Sequence, residues 1–180
     1  MSARASVLWL VLLLAVAPAR AHDTGFGHSR RTLFVAPVAD GYAVTVRLSL
    51  DAAEALLLMT RMDRDHDGAV SPAEREAYGA TTGAAFAARL LATDTADRPL
   101  PVRFVAFAPG ETLALIYQFR IDTAERQVFL TDSLFPHRHG WVSVRSAPGV
   151  EVKLGATTAS HAGAVRVQLL RPGPEPQPRN

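Results

Sequence analysis

Twelve consecutive residues, Asp63 to Glu74, hold the side chains whose order most invites a chemical reading. They run Asp-Arg-Asp-His-Asp-Gly-Ala-Val-Ser-Pro-Ala-Glu. Carboxylates fall at positions 1, 3 and 5 of this stretch: Asp63, Asp65 and Asp67. Gly68 follows at position 6, where a short loop closing on one point must bend sharply. Ala69, at position 7, offers only its backbone carbonyl. Ser71, at position 9, supplies a hydroxyl or holds a water. Glu74, at position 12, brings a carboxylate that can ligate through both oxygens. A hard cation such as calcium takes roughly six to eight oxygens, and this alternation turns that many inward from several directions.

The flanks must then position the loop. Ala52 to Met62 is rich in alanine and leucine, lacks Gly and Pro, and is predicted to be a helix with Asp51 as its N-cap. Ser71-Pro72-Ala73-Glu74 places a capping serine, a proline at the first helical position and a glutamate three residues after the cap. The exiting helix is predicted from Pro72 towards Leu91, weakened at Gly79 and Gly83. Those glycines would let a helix approach a sheet closely. Helix, twelve-residue acidic loop and helix together resemble an EF-hand, and the resemblance implies Ca2+ at Asp63, Asp65, Asp67, Ala69, Ser71 and Glu74. Arg75 departs from it, because an apolar residue usually follows the last ligand. A capped helix after an Asp/Gly turn also needs no metal, so the alternative is a plain surface turn.

The chain has 180 residues, enough for one domain. Arg4, the apolar run Val7 to Ala17, Pro18 and the small-residue signal Ala19-Arg20-Ala21 read as a signal peptide over residues 1–21. Of 19 basic residues, Arg4 and Arg20 would leave with it, so that 17 remain against 17 acidic ones. A neutral domain without a basic cluster is a poor nucleic-acid binder. Cysteine is absent, which excludes disulfides, thiolate metal sites and cysteine nucleophiles. Periplasmic or secreted placement is the expectation.

Around the acidic loop the chain reads as strands. Thr32 to Val38 and Tyr42 to Leu50 flank Asp40-Gly41, a hairpin signal. After Leu100 come Val102 to Phe107, a turn at Pro109-Gly110, Thr112 to Ile121, Gln127 to Leu130, Trp141 to Arg145, Val150 to Leu154 and Val165 to Leu170. Even spacing of short strands predicts an antiparallel β-sandwich-like sheet, hence an α+β fold with an inserted helix-loop-helix. The domain is expected over 22–170, with the helix pair at about 51–91 and a disordered proline-rich tail over 171–180. Phe104, Phe107, Tyr117, Phe119, Phe129 and Trp141 are expected in the core.

The order of these parts also resembles the periplasmic N-terminal region of HupE/UreJ-type bacterial membrane proteins, a group associated with nickel or cobalt permeases. The residues that carry it are Ala21-His22, Ala43 to Leu50 leading into a helix, Asp63 to Glu74 followed by Ala77-Tyr78, the turn Asp97-Arg98-Pro99-Leu100, and Phe135-Pro136-His137-Arg138-His139-Gly140-Trp141. In such relatives transmembrane helices usually follow, and none is expected here before Asn180. The resemblance therefore implies a periplasmic calcium-loop domain with a membrane transporter or another envelope protein as partner, and does not extend to transport itself.

A second metal site is conceivable at His22, His137 and His139. Residues i and i+2 of a strand share a face, and a freed His22 would add its α-amine, a donor set suited to Ni, Co or Cu. The alternative is a polar loop. His28 lies near His22 in sequence, and His66 and His161 read as surface. No nucleophile elbow, phosphate loop or zinc-protease motif is present, so no enzyme is expected. Ser133, Asp132 and His137 are close in sequence, which is not triad geometry.

Overall fold

The computed structural model describes residues 29–110, 113–134, 140–154 and 165–171. The expected signal peptide, His22, His28, His137, His139, His161 and the tail beyond Arg171 lie outside the described residues.

The first hairpin forms because alternate positions of its strands are apolar. Strand β1 (Ser29–Val38) pairs antiparallel with β2 (Gly41–Ser49), and Ala39-Asp40 make the turn. Leu33, Val35, Tyr42, Val44, Val46 and Leu48 point to one face and are buried. Gly41 sits where a Cβ would come within 1.9 Å of the Ile121 carbonyl oxygen, so the turn passes too close to the next strand for any side chain.

Two helices follow. Helix α1 (Ala52–Met62) starts at Asp51, whose side chain accepts from Glu54 N at 2.7 Å while Glu54 Oε2 accepts from Asp51 N at 3.2 Å. Helix α2 (Pro72–Ala87) carries the same reciprocal cap at Ser71 and Glu74. It ends well before Leu91. The Arg89 amide bonds the Phe86 carbonyl at 2.9 Å, and the chain turns into strand β3 (Leu90–Thr93). Pairing with a distant strand and burial of Leu90 outweigh the helical tendency there.

The remaining strands are β4 (Pro99–Leu100), β5 (Val102–Gly110), β6 (Ala114–Asp122), β7 (Gln127–Asp132), β8 (Gly140–Ser146), β9 (Glu151–Leu154) and β10 (Val165–Leu170). Pro109 and Gly110 belong to β5, opposite Leu115 and Ala114, instead of forming the expected turn. An edge strand tolerates a proline because no ladder bond is lost on its open side.

Two five-stranded sheets result, ordered β5-β6-β2-β1-β8 and β4-β3-β7-β10-β9. The fold is α+β and mostly β. Its pairings are antiparallel except β1 with β8, which run parallel in the register Ser29↔Gly140 to Val35↔Ser146. Leu33, Val44, Tyr117, Phe119 and Ile121 of the first sheet face Leu90, Val128, Leu130, Val167 and Leu169 of the second in one core. The buried pair Arg31–Asp132 joins β1 to β7 across that interface, and Asp132 Oδ1 also accepts from Leu134 N at 3.0 Å.

Helix α2 packs against β5 and β6 of the first sheet and also meets β3 of the second. Gly79 and Gly83 meet the rings of Phe107 and Phe104 there. Phe86 packs edge-on to Tyr117 at 4.8 Å, and Thr82 Oγ1 bonds the Tyr117 hydroxyl at 3.0 Å. Phe104, Phe107, Tyr117 and Phe119 therefore join the core as expected. Phe129 does not: its ring faces outward beneath the Arg166 guanidinium, 4.8 Å away. The side chain of Trp141 lies outside the described residues. No helix among the described residues is long and apolar enough to cross a membrane.

Candidate metal centre

The acidic loop joins the end of α1 to the start of α2. Asp63 is the C-cap of α1, its amide bonding the Met59 carbonyl at 2.9 Å. Val70, at position 8, is half-buried and packs against the core, which fixes the loop's second half to the body of the protein. Gly68 takes φ +88°, a left-handed conformation that L side chains rarely adopt. His66 also adopts φ 60° and is exposed.

These turns bring three carboxylates together. One oxygen from each of Asp63, Asp65 and Asp67 lies within 4.8 Å of the others. Oxygens bound to one calcium ion at about 2.4 Å can stand at most about 4.8 Å apart, so the cluster fits a single such ion. No second group of three or more His, Asp or Glu side chains converges in this way among the described residues.

Backbone amides hold the cluster. Asp63 Oδ1 accepts from Asp67 N at 3.2 Å and Oδ2 from Gly68 N at 3.0 Å. Asp65 Oδ1 accepts from Asp67 N at 3.3 Å, and Asp67 Oδ1 from Ala69 N at 2.8 Å. Like charges this close repel. The inward-turned amides offset part of that repulsion, and a divalent cation would offset far more.

Glu74 stands apart from the three aspartates. Its Oε2 accepts from Ser71 N at 2.9 Å and Ser71 Oγ at 2.8 Å; its Oε1 accepts from Arg64 N at 2.6 Å and Asp65 N at 3.3 Å. The bonds from Ser71, backbone first, and then from Arg64 lower its pKa from 4.5 to about 2. Glu74 thus caps α2 and braces the loop entrance at once. Ser71 Oγ is likewise occupied by its cap, donating to Glu74 and accepting from Glu74 N at 3.3 Å. Of the six expected oxygen donors, the three aspartates are gathered, while Ser71 and Glu74 are bonded to each other beside them. Arg75 lines the groove between α2 and β5, so the departure from an apolar residue leaves α2 seated.

His22, His137 and His139 lie outside the described residues, and no geometry stands behind the histidine site. Asp132, once a conceivable partner of Ser133, is taken by Arg31.

Comparison with protein-family models, curated proteins and solved structures finds no match to this chain.

The brace from Glu74 to the Arg64 and Asp65 amides left no mark in the sequence, because backbone donors have no letter of their own. The apolar content of α1 exceeds what it buries. Leu56-Leu57-Leu58-Met59 gives α1 more apolar side chains than one face can bury. Only Ala55, Leu58 and Met62 turn inward, and Leu56, Leu57 and Met59 stay more than half exposed.

Proposed function

We propose that this chain is an exported, non-enzymatic calcium-binding module in which one EF-hand-type loop clamps α1 to α2. The observation that carries this reading is the convergence of Asp63, Asp65 and Asp67 within 4.8 Å at alternate loop positions, with Gly68 at the bend. Hard oxygens in that number suit calcium better than a transition metal, which prefers imidazole or thiolate. The Ala69 carbonyl and Ser71 complete the set, and Glu74 leaves its amide brace to close it. That exchange of hydrogen bonds for an ion costs affinity. Calcium is therefore held in the range of extracellular modules, on the order of 0.1–1 mM, as a clamp and not as a switch.

The clamp matters because α1 is attached chiefly through α2. Tying Asp63, at the end of α1, to Glu74, in the first turn of α2, fixes the angle between them. A protein partner in the cell envelope would then meet a rigid helix pair.

Calorimetry with calcium on the purified chain tests the reading. One site per chain is expected, absent in Asp63→Ala and weakened at least tenfold in Glu74→Gln. Undiminished binding in both variants ends it.

A further inference from the structure

An opening of about 280 Å³ lies between α1, α2 and the end of the first sheet, near the lower limit of small-molecule pockets. Its walls are Leu48, Leu50, Leu57, Leu58, Phe86 and Leu115. The Tyr117 hydroxyl at its floor is engaged by Thr82, so the phenol contributes surface more than a donor. Two cations stand at the rim. Arg30, on β1, and Arg61, in the last turn of α1, both line the opening, are exposed, and form no ion pair among the described residues. Burial raises the pKa of the nearby Tyr78 phenol, and the Arg61 charge pulls it partly back. Glu54 also lines the opening, but its Oε2 is turned onto the Asp51 amide as part of the α1 cap.

Apolar walls beneath a rim with two arginines match one ligand chemistry: an alkyl chain ending in a carboxylate. The chain would leave water among leucines, and a guanidinium recognises a carboxylate through paired N–H donors. We propose that this pocket binds an unesterified fatty acid, its chain between α1 and the sheet and its carboxylate at Arg30 and Arg61. The site shares α1 with the acidic loop but needs no metal.

The test is calorimetry with decanoate and with decanol, both below their aggregation limits and with a calcium chelator present, so that failure of the calcium reading leaves the result unaffected. Decanoate is expected to bind one per chain, at least tenfold tighter than decanol. Arg30→Gln and Arg61→Gln should each weaken decanoate several-fold and leave decanol unchanged. Leu58→Trp, which fills the pocket, should abolish both, with the far-ultraviolet circular dichroism of every variant confirming its fold. Equal binding of acid and alcohol, decanoate affinity unchanged in both arginine variants, or no binding of decanoate overturns the proposal. So does adsorption to phosphatidylglycerol vesicles that decanoate does not compete away, which would make the arginine face a membrane contact.

Discussion

Replacing Gly79 by alanine sets two effects of opposite sign against each other. Alanine inside a helix is favoured over glycine by about 1 kcal/mol. Against this, the added Cβ would lie 2.3 Å from Phe107 Cδ1, 2.5 Å from Cγ and 2.6 Å from its Cβ. Carbon atoms rest at about 3.5–4.0 Å, so the gap must open by more than 1 Å. Rotating the ring cannot open it, because Phe107 Cβ, fixed to strand β5, is itself too close. The ring is also wedged, with its centroid 5.0 Å from that of Tyr117 and 6.2 Å from that of Tyr78. Helix or strand must move, at a cost of about 3 kcal/mol, near the upper end of overpacking losses. The net expectation for Gly79→Ala is a loss of about 2 kcal/mol. Gly83→Ala meets only the far edge of the Phe104 ring, at 2.3 to 2.6 Å, which a ring can relieve by turning. Its loss should stay under about 1 kcal/mol after the helical gain, and Phe104→Leu should relieve it further. Urea titration at constant slope reads both values as midpoint shifts. A raised midpoint for Gly79→Ala, or a larger loss at Gly83, would refute the close docking of α2 on β5.

Three further outcomes are expected. Asp132→Leu or Arg31→Met alone should cost about 3–5 kcal/mol, since each leaves a buried charge without this partner, while the double variant Arg31→Met/Asp132→Leu should lose less than either; a fully additive double-mutant cycle would contradict this. With a calcium dissociation constant of about 0.1–1 mM, adding about 10 mM calcium should stabilise the chain by roughly 1.4–2.7 kcal/mol, seen as a higher melting temperature that Asp63→Ala abolishes. Asp94 supplies the pH prediction. Burial opposes its ionisation, but bonds from Arg98 N at 2.9 Å, Arg98 Nε at 2.6 Å and Ala96 N at 2.8 Å outweigh this and lower its pKa below 3.8. A depressed carboxylate pKa gives stability that is fully present above the ordinary value and lost as pH falls through the lowered one. Asp94→Asn should therefore flatten the acid limb below about pH 4 in a circular-dichroism titration and lower stability near neutrality.

Local rules with a fixed spacing were the legible ones. Asp51 and Ser71 announced both helix starts because capping needs particular side chains. Leu115, Tyr117, Phe119 and Ile121 alternate in the sequence and form the buried face of β6, whereas Leu113, two residues before them, is 52% exposed with φ 50°. What escaped depends on distant partners. Leu90 and Leu91 continue a helical composition, and only β7 makes them a strand. Pro109-Gly110 has the letters of a turn, yet β6 runs beside it. In the acidic loop the alternation of the three aspartates was legible, whereas the engagement of Glu74 with the Arg64 and Asp65 amides needed the folded backbone.

The parallel seam between β1 and β8 has a temporal side. Thr32 and Ser143, whose hydroxyls meet at 2.8 Å, are 111 positions apart. Closing so long a loop comes late and makes assembly slow. Until the chain beyond Gly140 is in place, β1 has β2 on one flank and bare amides and carbonyls on the other, open to any strand that arrives. A fragment that stops short of β8 would keep that ribbon unprotected for good and should self-associate, however sound its hairpin and helices.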